Sequence, residues 1–215
     1  MVSGDDGEFI CALTESVAGL GLASLTMLQL EQMRLHYELL TKWNTRMNLT
    51  RISAPRDAAR LHYAESIYGS AFLSGAASAL DVGSGAGFPA VPLAIMNSRL
   101  SVAALESNQK KSVFLKEVKQ LLGLSNLHVE TARIEDYNWS RYSALVSRAI
   151  DRAEKTYTAL IQSLSPGQLL MLFCSERLLE NLERELPPGI RVDRHRIPNS
   201  QSRFIAVING LLANH

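Results

Sequence analysis

The chain is poor in cysteine: it has two, Cys11 and Cys174, separated by most of its length. With no close pair there is no disulfide framework and no C-x-x-C zinc motif, so a reducing, cytoplasmic setting and no bound metal are expected. No uncharged run approaches the ~18 residues that a membrane span needs. The start carries Asp5, Asp6 and Glu8 where a secretory leader would be basic, and none is expected. An excess of charge is missing as well. Lys and Arg number 22 against 21 Asp and Glu, a net of +1, so the protein as a whole is no general polyanion binder. Internal repeats and low-complexity tracts are also lacking, and a monomer is expected. What is present is 215 residues of which 47% are hydrophobic, enough for one sizeable core with an extension.

The first 75 residues read as helical. A short helix is expected over 8–20 and a longer one over 26–47, with Thr26 as N-cap, Gln29 completing a capping box, and Leu28, Leu35, Leu39 and Trp43 on one face. Another is expected over 55–73, opened by Pro55, with Leu61, Ala64, Tyr68, Ala71 and Phe72 at helical spacing. Residues 74–78 form the junction between this extension (1–75) and a second region (76–215). There, strands expected near 79–83, 100–105, 126–131, 143–148, 167–174, 190–196 and 203–208 alternate with helices near 89–97, 108–122, 152–164 and 176–186. Such alternation predicts an α/β fold with a mostly parallel sheet covered on both faces. The short link 197–202 makes the last two strands an antiparallel pair.

The densest local signal is Asp81-Val82-Gly83-Ser84-Gly85-Ala86-Gly87-Phe88-Pro89, between the first of these strands and its helix. Glycines at alternate positions let a ligand approach the main chain, and a helix start offers unpaired N–H groups. A dinucleotide fingerprint would be G-x-G-x-x-G, but Phe88 stands where its third glycine belongs. The D-x-G-x-G-x-G pattern instead resembles the cofactor loop of class I S-adenosylmethionine-dependent methyltransferases. In that reading Asp81 holds the ammonium of the cofactor, directly or through water. Glu106 ends the second strand ~20 residues on, where doubly wound folds place a carboxylate on the ribose hydroxyls. A Rossmann-like domain with another ligand is the competing interpretation.

Further blocks extend the likeness from about Leu39 to Ile208. They are Lys42-Trp43-Asn44, Asn48-Leu49-Thr50, His62 with Glu65-Ser66, Asp81 to Pro92, Glu106-Ser107-Asn108 with Lys110-Lys111 and Phe114-Leu115, Arg133-Ile134-Glu135-Asp136, and Val146-Ser147-Arg148-Ala149. In order and spacing they resemble the bacterial small-subunit ribosomal RNA guanine-N7 methyltransferase family (RsmG, or glucose-inhibited division protein B). The resemblance implies a seven-stranded class I methyltransferase sheet, S-adenosylmethionine as cofactor, and 16S ribosomal RNA or the small subunit as partner. It also implies that Gly83 and Phe88 line the cofactor pocket, to which the loop pattern adds Gly85 and Gly87, that Ile134 and Glu135 flank its adenine, and that Arg148 faces both cofactor and substrate. Two positions depart from the family pattern: Glu65 stands where an aspartate is common, and Cys174-Ser175-Glu176 where Lys-Gly often follows the fifth strand.

The chemistry narrows independently. Exocyclic-amine methylation favours Asn/Asp-Pro-Pro-aromatic after the fourth strand, and Ser147-Arg148-Ala149-Ile150 does not match. Pyrimidine C5 methylation needs a cysteine nucleophile, and neither cysteine has a Pro-Cys context. Guanine N7 carries a free lone pair and no proton, so attack on a sulfonium methyl needs alignment and dehydration without a general base. An arginine on O6 would orient the base and leave N7 open. Arg148 is the candidate, with a structural pairing to Asp151 or Glu135 as its alternative. For RNA, six basic residues from Arg34 to Arg60 face Glu38 and Asp57, with Trp43, Tyr63 and Tyr68 interleaved, and Arg184, Arg191, Arg194, Arg196 and Arg203 cluster later. From these, Lys42, Arg46, Asn48, His62 and Arg203 are the candidate RNA contacts. His62 is expected to be structural or substrate-positioning, and Asn48 to cap the helix end before it. A methyltransferase with another substrate, or a non-catalytic RNA-binding factor retaining the pocket, remain alternatives.

Overall fold

The computed structural model describes residues 4–148, 153–186 and 189–210. Its strands are β1 (Ser78–Val82), β2 (Ser101–Leu105), β3 (Leu127–Glu130), β4 (Ala144–Arg148), β5 (Leu169–Ser175), β6 (Val192–Arg196) and β7 (Arg203–Asn209). They form one sheet in the order β3-β2-β1-β4-β5-β7-β6. The pairs among β1 to β5 are parallel, and β7 runs antiparallel to both β5 and β6. The expected strands and the antiparallel ending are all present.

The pleat sorts side chains in twos. Ala79, Ala144, Val146, Met171, Phe173, Ile205 and Val207 enter one apolar cluster, and Leu80, Val82, Leu145, Leu170, Leu172, Ala206 and Ile208 enter the other. Both faces are therefore buried, which is why these strands read as nearly continuous apolar runs. Helices α7 (Ala153–Gln162) and α8 (Glu176–Arg184) cover the second face. The first is covered by α5 (Ala90–Met96), α6 (Gln109–Leu122) and the N-terminal helices. Residues 4–75 thus share a core with the sheet.

The N-terminal layer consists of α1 (Gly4–Gly19), α2 (Met27–Asn44) and a continuous rod over 55–73. In the rod, α3 (Pro55–Asp57) leads into a π-wound stretch, Ala58–Ala64, then α4 (Glu65–Ser70) and a 3₁₀ turn, Ala71–Leu73. The capping box at Thr26 is formed with Gln29 as expected. The buried faces differ from the apolar stripes, however. Leu28 is 68% exposed, while α2 buries Met33, His36, Tyr37, Leu39 and Leu40. In the rod Ala71 is exposed, whereas His62, Tyr63, Glu65 and Ser66 are buried. The physical reason is a packed polar seam. Tyr63 Oη donates to His36 Nδ1 at 3.0 Å, His36 Nε2 donates to the Ala86 carbonyl at 3.1 Å, and Tyr37 Oη donates to the Ser53 carbonyl at 2.8 Å. Satisfied in this way, polar groups can occupy interior positions that a hydrophobic pattern assigns to solvent.

Candidate cofactor cleft and its arginine–glutamate wall

The glycine loop leaves the C-terminal end of β1 beside those of β2 and β4. Gly83, Gly85 and Gly87 all have positive φ, at 76°, 54° and 89°. Their surroundings differ. A Cβ on Gly85 would meet only the Gly83 carbonyl, at 3.8 Å, whereas one on Gly87 would meet Val91 Cγ2 at 2.7 Å and His36 Nε2 at 3.3 Å. Gly85 keeps its backbone conformation, and Gly87 lets the N-terminal layer close onto the loop.

The helix start is not a bare anion cradle, contrary to the expectation of outward, unpaired N–H groups. Gly83 and Ser84 donate to the Leu105 carbonyl, and Gly87 and Phe88 to that of Ser84. Ala90 donates to Asp81 Oδ2 at 3.2 Å, and Val91 to the Gly87 carbonyl. Glu106 is the second brace: its carboxylate accepts from Gly85 N at 2.9 Å and from Asn108 N at 2.7 Å. A diphosphate would have few free donors here. Asp81 is fully buried, and burial raises its pKa to about 7. Its Oδ1 has no hydrogen-bond partner.

Beside the loop opens a cavity lined by Val82, Gly83, Leu105, Ser107, Ile134 and Thr156, with Glu135 at its edge. Three of the candidates, Gly83, Ile134 and Glu135, line it, and Asp81, Gly85 and Glu106 hold the loop behind them. Gly87 and Phe88 belong elsewhere. The Phe88 ring is 6% exposed and stacks on His62 at 4.5 Å, with Tyr63 and His36 also against it. Thr156, on α7, could not be picked out from sequence, because nothing in its surroundings marks it.

Arg148 ends β4, on the same face as Val146, and so projects toward the N-terminal layer. Its guanidinium Nη2 donates to the Leu61 carbonyl in the π-wound stretch and to Glu65 Oε2 at 3.1 Å, and it lies over the Phe173 ring at 5.6 Å. Among the described residues the paired acid is Glu65 and not Glu135, which is exposed at the cavity edge; Asp151, like Ala149 and Ile150, lies outside the described residues. Glu65 also forms an ion pair with Arg203 at 2.8 Å, where β7 begins on that face. Burial outweighs both arginines and raises the Glu65 pKa. Arg148 Nη1 is buried and has no partner. One parity count could have found this wall: Arg148 and Arg203 share the pleat phase of Val146 and Ile205 at one edge of the sheet.

The remaining candidates scatter. His62 is buried, bonded through Nε2 to Thr50 Oγ1 at 2.9 Å, and burial lowers its pKa to about 3. It is neutral at pH 7 and tied to the fold, not open to RNA. Lys42, Arg46 and Asn48 are exposed. The helix end is closed by Thr45 and the turn after it in place of Asn48: Thr45 Oγ1 donates to the Lys42 carbonyl at 2.8 Å and the Arg46 and Met47 N–H groups to that of Trp43, while Asn44 Oδ1 braces the following turn, accepting from Leu49 N at 2.8 Å and Thr50 N at 3.0 Å. The basic run is also thinner than it reads. Arg34 pairs with Asp6, Glu31 and Glu38, Arg56 with Glu8 and Glu15, and Arg60 with Asp57. Tyr63 is fully buried and cannot stack on a base. Burial raises the Cys174 thiol to about 12, which removes it as a nucleophile. Among the described residues no helix is long and apolar enough to cross a membrane.

This sheet order, with its glycine loop and flanking acid, is that of the class I methyltransferases. The fold matches a Bacillus cereus O-methyltransferase crystallised with SAH (TM-score 0.59, 15% identity, 81% of this chain and 90% of that one). It also matches an S-adenosylmethionine-dependent O-methyltransferase from Thermotoga maritima (TM-score 0.57, 17% identity, 82% and 73%). Sequence carries the assignment further. Residues 29–187 match the family described as GidB, rRNA small subunit methyltransferase G. Proteins named ribosomal RNA small subunit methyltransferase G from Solibacter usitatus and Nitrosomonas europaea are 33% and 32% identical, over 77% and 75% of this chain and 82% and 83% of theirs. The chain belongs to the rRNA small subunit methyltransferase G family.

Proposed function

We propose that this protein transfers a methyl group from S-adenosylmethionine to N7 of a guanine in 16S ribosomal RNA, by direct in-line attack without a general base. The observation that carries the proposal is the glycine-loop cavity at the head of a class I methyltransferase sheet, in a chain of this family. The residues fit the cofactor. Asp81 has a buried, unpartnered oxygen suited to an ammonium, and the loop has few N–H groups left for a diphosphate. Gly83, Ile134 and Glu135 line the nucleoside side, and Glu106 holds the loop and stands where a ribose carboxylate belongs. When bound, the cofactor supplies an electrophilic methyl on sulfur.

The chain's own residues then orient the acceptor and exclude water. Arg148 is anchored by Leu61, Glu65 and Phe173 with Nη1 left over, suited to an acceptor such as guanine O6. No proton leaves N7, so the low pKa of His62 and the engaged Glu65 carboxylate are no obstacle. Mass analysis of 16S ribosomal RNA from cells with and without the gene tests the reaction: one methylguanine should disappear. Calorimetry tests the cofactor. S-adenosylmethionine should bind and NADH should not. Because a cation beside Asp81 favours its ionised form, binding near pH 7 should also release a proton, seen as a heat that varies with buffer.

A further inference from the structure

A second cavity, of about 360 Å³, opens between α1, the rod and the loop joining β6 to β7. That loop is fastened to α1 by Asn199 Nδ2, which donates to the Gly19 carbonyl at 3.1 Å. The cavity lies over β7, on the half of the sheet away from the glycine loop, and Glu65 and Arg203 form its inner wall. Arg148 stands behind that wall, bonded to the same carboxylate. One carboxylate therefore separates this cavity from the side chain placed to orient the acceptor base.

Its lining has two parts. Ala12, Leu20, Ala64, Ile197 and Pro198 give small apolar walls. Arg56 and Arg60 stand at the mouth, 64% and 55% exposed, Arg56 paired with Glu8 at 3.3 Å and Glu15 at 3.5 Å and Arg60 with Asp57 at 3.6 Å. Exposed pairs of that length hold weakly, so both guanidinium groups can turn to another anion. Counting Arg203 and Glu65, and Glu8 on Arg56, three arginines meet four carboxylates. That balance disfavours a free multivalent anion. It suits a nucleobase, whose edge carries donors and acceptors together, with one phosphate at the rim. The volume lies in the range of small-ligand pockets.

We infer that this cavity receives one unstacked nucleotide of the RNA substrate next to the methylated guanine, its base against the apolar walls and its phosphate on Arg56 and Arg60. The inference rests on the RNA methyltransferase function proposed above. Docking there presses on the Glu65–Arg203 pair, and through Glu65 it reports to Arg148.

Steady-state methyl transfer to purified small subunits tests it, using wild type, the double variant Arg56→Ala/Arg60→Ala, and Ser16→Trp, which fills the cavity from α1. Both variants should raise KM for subunits about tenfold, the scale of a pair of lost phosphate contacts, and should bind S-adenosylmethionine by calorimetry as wild type does. Subunits carrying 4-thiouridine should cross-link RNA to residues 4–19 or 197–203. If KM is unchanged in both variants while wild type methylates normally, the cavity has no role in RNA binding, and only this inference falls. Cross-linking of these segments to a ribosomal protein in place of RNA overturns it as well. A wild type that methylates nothing overturns the proposed function and this inference together.

Discussion

The two halves of the sheet's functional edge are built differently. On the β1–β3 side the site is made of backbone: a loop with three positive-φ glycines, braced by two carboxylates within 25 residues of each other, Asp81 and Glu106. On the β4–β7 side it is made of charge: buried Glu65 and Arg148 with half-buried Arg203, brought together from positions far apart in the chain. A backbone site is rigid and tolerates side-chain change outside its glycines. A buried ionic site depends on every member, because removing one leaves its partner without compensation. Here the extension supplies the carboxylate, so the N-terminal layer serves the site as well as the core.

The comparison breaks most sharply at Arg148. Replacing Arg148 with alanine should lower kcat for methyl transfer by about 10²-fold or more, while the calorimetric affinity for S-adenosylmethionine changes far less. Equal, small effects on both would leave Arg148 a purely structural residue. Next in size are two losses of stability. Glu65→Ala should cost about 3 kcal/mol in denaturant unfolding, at the low end for a broken buried pair since Arg203 is a third exposed. Gly87→Ala should cost a similar amount, because its Cβ would stand 2.7 Å from Val91 Cγ2. Gly85→Ala, with only backbone strain to bear, should cost about 1 kcal/mol and act mainly on cofactor affinity. If Gly85→Ala proves the more disruptive to folding, the division of labour between these glycines is wrong.

The comparison is sharpened further by pH. His36 and His62 have pKa values near 3 in the fold against 6.5 outside it. The unfolded chain takes up their protons first, so their contribution is complete above about pH 6.5 and is lost as pH falls toward 3. Asp81 behaves oppositely. Raised from 3.8 to about 7, it contributes fully below about pH 4, and that contribution is lost as pH rises through 7. Between pH 4 and 6.5 the two slopes oppose each other. Asp81→Asn should therefore make the melting temperature climb more steeply with pH over this window. An unchanged slope would show that Asp81 titrates normally.

Much of the molecule was legible in the sequence. The strands, the capping box at Thr26 and the loop from Asp81 to Gly87 are local features, set by periodicity, turn chemistry and short spacing. The failures share one cause. Leu28, Ala71 and Tyr63 were assigned by apolar or aromatic character along a helix, yet exposure depends on what packs against that helix. The basic run from Arg34 to Arg60 reads as a free surface in sequence, yet Asp6, Glu8 and Glu15 on α1 reach its arginines. No cap is required of Asn48, because the Thr45 hydroxyl and the N–H groups of Arg46 and Met47 already reach the last carbonyls of the helix.

By itself, then, the sequence determined the α/β alternation, the glycine loop and the family, because each is encoded within a few turns or strands of contiguous chain. Only the tertiary structure decided that Glu65 joins Arg148 to Arg203, that His62 is an interior ring, and that a second cavity lies beside them. Those outcomes depend on strand order and on which helix covers which face, and contacts between residues 83 and 138 positions apart leave no local trace in the order of the amino acids.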